Sequence, residues 1–165
     1  MNYQLDVSKG YQVSKKHFLL LSLSFSLVFS LVLIADVLLV IFANEDYKLN
    51  LIIATIISIL FTWAAIFFFG NFYNEALEKY LFYKSYESGL KEEAEVIFEK
   101  QIDKQVMTTN RNGLITYPVH VTYIDGLTKT HKVICTVEKD LGFKEGDKLT
   151  IITYQRVIIK AERHL

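Results

Sequence analysis

The chain has 165 residues, with 18 basic and 18 acidic side chains, one Cys and one Pro; 52% of it is apolar and only 22% charged. The charge balance excludes nucleic-acid binding driven by overall basicity. A single Cys excludes an intrachain disulfide framework and any paired-Cys zinc motif.

The charges are unevenly placed. His17 to Gly70 holds one Lys and three acids in 54 residues, whereas Asn71 to Leu165 holds 14 basic and 14 acidic residues in 95. Residues 1–16, with Lys9, Lys15 and Lys16, read as a cytoplasmic N-terminal segment. Residues 17–70 read as a transmembrane hairpin with spans at about 18–43 and 51–70. The first run is broken only by Asp36 and the second carries no charge. Each matches the roughly 20 helical residues that a bilayer core needs. The linking Asn44–Asn50 is too short for anything but antiparallel neighbours. A soluble helix would need a polar face, and Leu51 to Gly70 offers only Thr55, Ser58 and Thr62. The first run is also too long for a signal-peptide core. Lys9, Lys15 and Lys16 before the hairpin, and Lys79, Lys84 and Lys91 after it, outnumber Lys48 in the loop. The positive-inside rule then predicts a multi-pass protein of the cell membrane with both termini cytoplasmic.

Within the hairpin, Ser22, Ser26 and Ser30 recur every four residues, as do Ala54, Ser58 and Thr62. Small, weakly polar residues at this spacing are candidates for a helix-packing interface. Asp36 is the one charge inside a span, and a carboxylate there costs about 2.5–3.5 kcal/mol. Counting back from the loop places it near Ser58, with Thr55 one turn away, and these three form a candidate intramembrane polar contact. Phe67, Phe68, Phe69, Phe72 and Tyr73 form a candidate membrane-interface anchor at the cytoplasmic exit.

Residues 71–90 read as a helical neck, with Phe72, Tyr73, Ala76, Leu77, Tyr80 and Leu81 at 3–4 spacing and Gly89 as its stop. From residue 91 the period falls to two, and residues 91–165 read as a cytoplasmic β domain. Strands are expected over Ala94–Ile102, Tyr117–Ile124, Thr130–Val137, Lys148–Tyr154 and Val157–Ala161. Turns fall at Asn110-Arg111-Asn112-Gly113, Asp125-Gly126 and Gln155-Arg156, with a short turn over Glu138–Glu145. The fold class expected is an α+β membrane protein: a two-helix hairpin plus a small five-stranded antiparallel, barrel-like (SH3- or OB-like) domain.

Tyr117-Pro118-Val119-His120-Val121-Thr122-Tyr123 through Gly126, then Lys144-Glu145-Gly146-Asp147-Lys148-Leu149 and Tyr154-Gln155-Arg156-Val157-Ile158, carry a resemblance. They are similar to uncharacterised bacterial membrane-anchored families with a transmembrane anchor followed by a small β domain. The resemblance covers Glu93 to Glu162. It implies a β framework and supplies no catalytic residues.

Pairing Val121 with Val133, to keep one apolar face, sets Cys135 opposite Val119 and His131 opposite Tyr123, with His120 on the other face. That placement speaks against a shared metal. No nucleophile–base spacing, phosphate loop or H-E-x-x-H occurs. The expectation is a non-catalytic integral membrane protein without cofactors. It would be an accessory or assembly subunit whose β domain mediates protein interaction. Its partners would be the lipid bilayer and another membrane protein, or a second copy of itself, and not nucleic acid. The alternatives are an immunity or stress protein that binds a toxin or peptide at the membrane, and a membrane-tethered sensor of a small ligand.

Overall fold

The computed structural model describes residues 2–41, 47–103, 106–107, 113–126 and 128–164. The fold is α+β: two long apolar helices and a β-sheet. In chain order the elements are β1 (Asn2–Gln4), α1 (Val7–Ile41), α2 (Tyr47–Phe68), a π-helical turn (Phe69–Tyr73), α3 (Asn74–Ser85), β2 (Glu92–Gln101), β3 (Val106–Met107), β4 (Ile115–Asp125), β5 (Thr128–Thr136), β6 (Lys148–Tyr154) and β7 (Val157–Arg163). Two compact units result: Val13–Leu77 on one hand, Met1–Gln12 with Glu78–Leu165 on the other.

The helical unit is an antiparallel pair. Both helices are long and apolar enough to cross a membrane, and 0% and 6% of their most apolar stretches are buried. A soluble core helix would hide those stretches; here they stay open. The pair is held by an aromatic seam. Phe25 lies 6.0 Å from Phe61, 5.2 Å from Phe68 and 4.7 Å from Phe69 between ring centroids. Phe29–Phe61 and Phe18–Tyr73 extend it. Phe68, the last residue of α2, and Phe69, the first of the π turn, both lie against Phe25. The residues expected as the middle of the external loop, 44–46, and the end of the first expected span, 42–43, lie outside the described residues.

The β unit is built on period-two burial. Val96 and Phe98 of β2, Val119 and Val121 of β4, Ile134 of β5, and Leu149 and Ile151 of β6 form one buried core, closed by Leu141, Ile158 and Ala161. The strand order is β1-β7-β5-β4-β2-β6, with β7 also paired to β6, so the pairings return on themselves; β3 pairs with β4. Among the described residues six strands therefore lie along the sheet, where five were expected. The sheet is antiparallel except at one point: β5 and β7 run parallel, bridged at Cys135 and Val157. The outer side of β7 carries a second core, with Phe82 and Tyr83 of α3 against Tyr154, Val157 and Ile159, covered by Leu5, Val7 and Tyr11 from the N-terminus.

Several expectations need correction. The N-terminal segment, expected only as a stretch before the hairpin, contributes a strand and the start of α1: β1 pairs with β7 (Tyr3 opposite Ala161), and Asp6 caps α1 by accepting the Lys9 amide at 2.8 Å. Helix α3 ends at Ser85, four residues before Gly89. Gly89 instead packs against the Tyr154 ring, which a Cβ there would meet at 2.2 Å. The short turn expected over Glu138–Glu145 appears as bends at 138–139 and a turn at 145–146. The turn expected at residues 110–112 lies outside the described residues. The β4–β5 register is also one residue off the expected one: Val121 faces Lys132, and Asp125 faces Thr128. A two-residue hairpin loop fixes that register, and one residue of slip exchanges the faces. Ile134 is buried in consequence, while Val133 is 51% exposed.

Candidate functional site

The corrected register changes the chemistry of the sheet surface. Pro118 faces Cys135, His120 faces Val133 and Thr122 faces His131. His120, His131 and Cys135 therefore share a face, contrary to the expected placement. Even so, no group of three His, Cys, Asp or Glu side chains among the described residues could hold a metal; Cys135 is buried. What this face assembles is a hydrogen-bonded trio. Glu99 is the extra residue of a bulge in β2, between the Phe98–Val121 and Lys100–His120 pairs, and a bulge re-aims its side chain. Its carboxylate accepts from the Thr122 hydroxyl and meets His131 Nδ1 at 2.6 Å. Those two contacts, the Thr122 hydrogen bond foremost, hold the Glu99 carboxyl below its ordinary value. Glu99 stands in a run of alternating acids, and nothing in the run itself signals a bulge.

In the helical unit the structure brings Asp36 and Ser58 together: the Ser58 hydroxyl donates to Asp36 Oδ2 at 2.7 Å. The second carboxylate oxygen, Oδ1, is enclosed and has no hydrogen-bond partner among the described residues. Beside it runs a groove of about 420 Å³ along α2, lined by Asp36, Ala54, Thr55, Ser58, Ile59, Thr62 and Trp63. Thr55 lines the groove, but its hydroxyl turns back to the Leu51 carbonyl at 2.8 Å. Ile59 and Trp63 complete the walls; sequence spacing did not single them out for this site.

The residues expected as a packing interface separate. Ala54 is buried, whereas Ser26, Ser30 and Thr62 are exposed and Ser22 is half-buried. The hydroxyls of Ser22, Ser30 and Thr62 donate to carbonyls four residues back in their own helices. Aromatic contacts link the two helices, and the i, i+4 pair Phe25/Phe29 is their sequence signal. The five aromatic anchor residues also divide. Phe68, Phe69 and Tyr73 join the seam, while Phe67 and Phe72 stay 62% and 53% exposed.

Chemically, the groove offers a carboxylate oxygen awaiting a donor, inside an apolar surface. No protein-family model, no curated protein and no solved structure matches the chain.

Proposed function

We propose that this is a two-span membrane protein that works without catalysis, as an accessory or assembly subunit, and that the Asp36 groove receives a helix of its membrane partner. One observation carries the reading: Asp36 keeps an enclosed, unpartnered oxygen at a lipid-accessible groove. An unsatisfied buried acceptor costs about 1–3 kcal/mol, more in hydrocarbon. Neither α1 beyond residue 17 nor α2 before its last turn carries a cation that could fold over it, apart from Lys48 at the loop. A partner helix bearing a hydroxyl, amide or basic side chain supplies the missing donor.

The topology has support of its own. β1 pairs with β7, which supports a topology with both ends of the hairpin on one side of the bilayer. The lysine bias favours the cytoplasm as that side. In the β unit, the pairing circuit β2–β4–β5–β7–β6, with its parallel contact between third and fifth strands, supports a closed Greek-key barrel of the OB kind rather than an SH3-like one.

The test is site-specific photocrosslinking in intact cells. A photoreactive residue at Ile59 or Trp63 should capture one membrane protein, or a second copy of the chain, and Asp36→Leu should reduce that capture at least tenfold. The same probe at Leu23, which lies outside the groove, should not capture it. Lipid adducts alone at Ile59 and Trp63 would overturn the reading.

A further inference from the structure

The second site lies in the β unit and stands independently of the groove. β5 and β7 are bridged at a single residue pair. On the N-terminal side of that bridge, β5 and the β6–β7 hairpin leave a cavity of about 580 Å³ between them, within the size range of small-molecule sites. Its polar lining comes from four elements: Glu92 of β2, Tyr123 of β4, Lys132 of β5, and Thr153, Gln155 and Arg156 of the β6–β7 hairpin.

Three features of this cavity, which opens at the exposed rim of the sheet, bear on what it holds. First, opposite charges line it without neutralising one another. None of Glu92, Lys132 and Arg156 forms a salt bridge among the described residues. Lys132 Nζ instead rests 4.4 Å from the centre of the Tyr123 ring, and Glu92 adds its negative charge to the burial that pushes the Tyr123 phenol up. Second, the register places Lys132 directly opposite Val121, and Glu92 directly opposite Thr153. Paired residues share a face, so both charges stand on the core-bearing side of the sheet, at its solvent-exposed end. Third, the turn at the cavity is strained. Gln155 and Arg156 both occupy the left-handed region, at φ 49° and 64°, where a two-residue hairpin of this type ordinarily uses Asn-Gly. The Cys135 amide pins the turn by donating to the Arg156 carbonyl at 2.8 Å. Strain held in place in this way concentrates at ligand sites.

We infer that this cavity binds a small zwitterion, its carboxylate, sulfonate or phosphate read by Lys132 and Arg156 and its ammonium group by Glu92. The Tyr123 ring and Ile134 give the connecting carbons an apolar wall.

The test uses the full chain in detergent micelles, by calorimetric titration. The probes are glycine, β-alanine, γ-aminobutyrate, taurine and phosphoethanolamine, with acetate, inorganic phosphate and ethylammonium as half-ligands. At least one zwitterion should saturate a single site per chain and bind at least tenfold tighter than any half-ligand. Lys132→Gln and Glu92→Gln should each weaken it at least tenfold. Gln155→Asn/Arg156→Gly should raise the melting temperature while weakening binding, which separates a lost site from a lost fold. If phosphoethanolamine is the winner, a signal lost in phosphatidylethanolamine nanodiscs but kept in phosphatidylglycerol ones assigns the site to a lipid headgroup, and a signal kept in both assigns it to the free molecule. The inference falls if no zwitterion saturates, if a half-ligand binds equally well, or if the charge variants bind like the parent.

Discussion

Glu99 shows how one residue's surroundings set its behaviour with pH. The fold lowers its pKa, through Thr122 first and His131 second, so the folded chain favours the ionised carboxylate. Its contribution to stability is therefore present above the ordinary value of 4.5 and is lost as pH falls through the lower folded value. Thr122→Val should move the Glu99 titration, followed by carboxyl NMR, back up toward 4.5, and by more than His131→Gln does. An unchanged titration in Thr122→Val would refute that ranking. The hairpin turn is a second residue-scale case. Each non-glycine residue held in the left-handed region costs about 1 kcal/mol or more. Gln155→Asn/Arg156→Gly should therefore stabilise the protein by about 1–2 kcal/mol, read as a shift of the urea midpoint at constant slope. Of these residue-scale features, the proximity of Asp36 to Ser58 was legible, because helix geometry turns a loop length into a facing position. Glu99 was not, because a bulge depends on how the partner strand is paired.

At the scale of elements, sequence period located most strands to within two residues. Lys148–Tyr154 came out at its observed bounds, because buried Leu149 and Ile151 alternate cleanly with more exposed positions. The failures share a cause. β1 has three residues and a single apolar side chain, Tyr3, so it has no period to read. The β4–β5 register depends on loop length, and apolar residues at consecutive positions (Val133, Ile134, Cys135) fit either face. The start of α1 was signalled by Asp6, a good capping residue, but a polar first turn masked it. That first turn packs closely. A Cβ on Gly10 would lie 2.4 Å from the ring of Tyr83, which is itself buried. Replacing a helical Gly by Ala ordinarily stabilises by about 0.5–1 kcal/mol. Here the sign should reverse, to a loss of about 1–3 kcal/mol from overpacking. Tyr83→Leu should recover part of that loss in the double variant, giving a non-additive cycle in thermal unfolding. Additive effects would show that Gly10 and Tyr83 do not meet.

For the whole molecule, the decisive fact is that the β unit is discontinuous in sequence, formed by Met1–Gln12 together with Glu78–Leu165. The hairpin is an insertion into it. Read from the sequence alone, domains follow one another along the chain, and a β domain starting near residue 91 looks self-sufficient. In the fold, β1 completes one edge of β7, and Leu5, Val7 and Tyr11 cover the outer core. Tyr11 stacks on Tyr80 with ring centroids 5.8 Å apart, so residues 12 and 78 lie close enough for a short Gly/Ser linker to replace the hairpin. Two soluble versions can then be compared, residues 78–165 alone and residues 1–12 linked to 78–165. Covering three apolar side chains at up to about 1.5–3 kcal/mol each for full burial, less the entropy of ordering the segment, should leave the linked version more stable by about 2–4 kcal/mol. It should unfold in one cooperative urea transition at a clearly higher midpoint. Equal midpoints would mean that the N-terminal segment adds nothing to the β unit. A higher midpoint would also support the proposed topology: a first strand needed by the last calls for both ends on the same side of any membrane that the hairpin crosses.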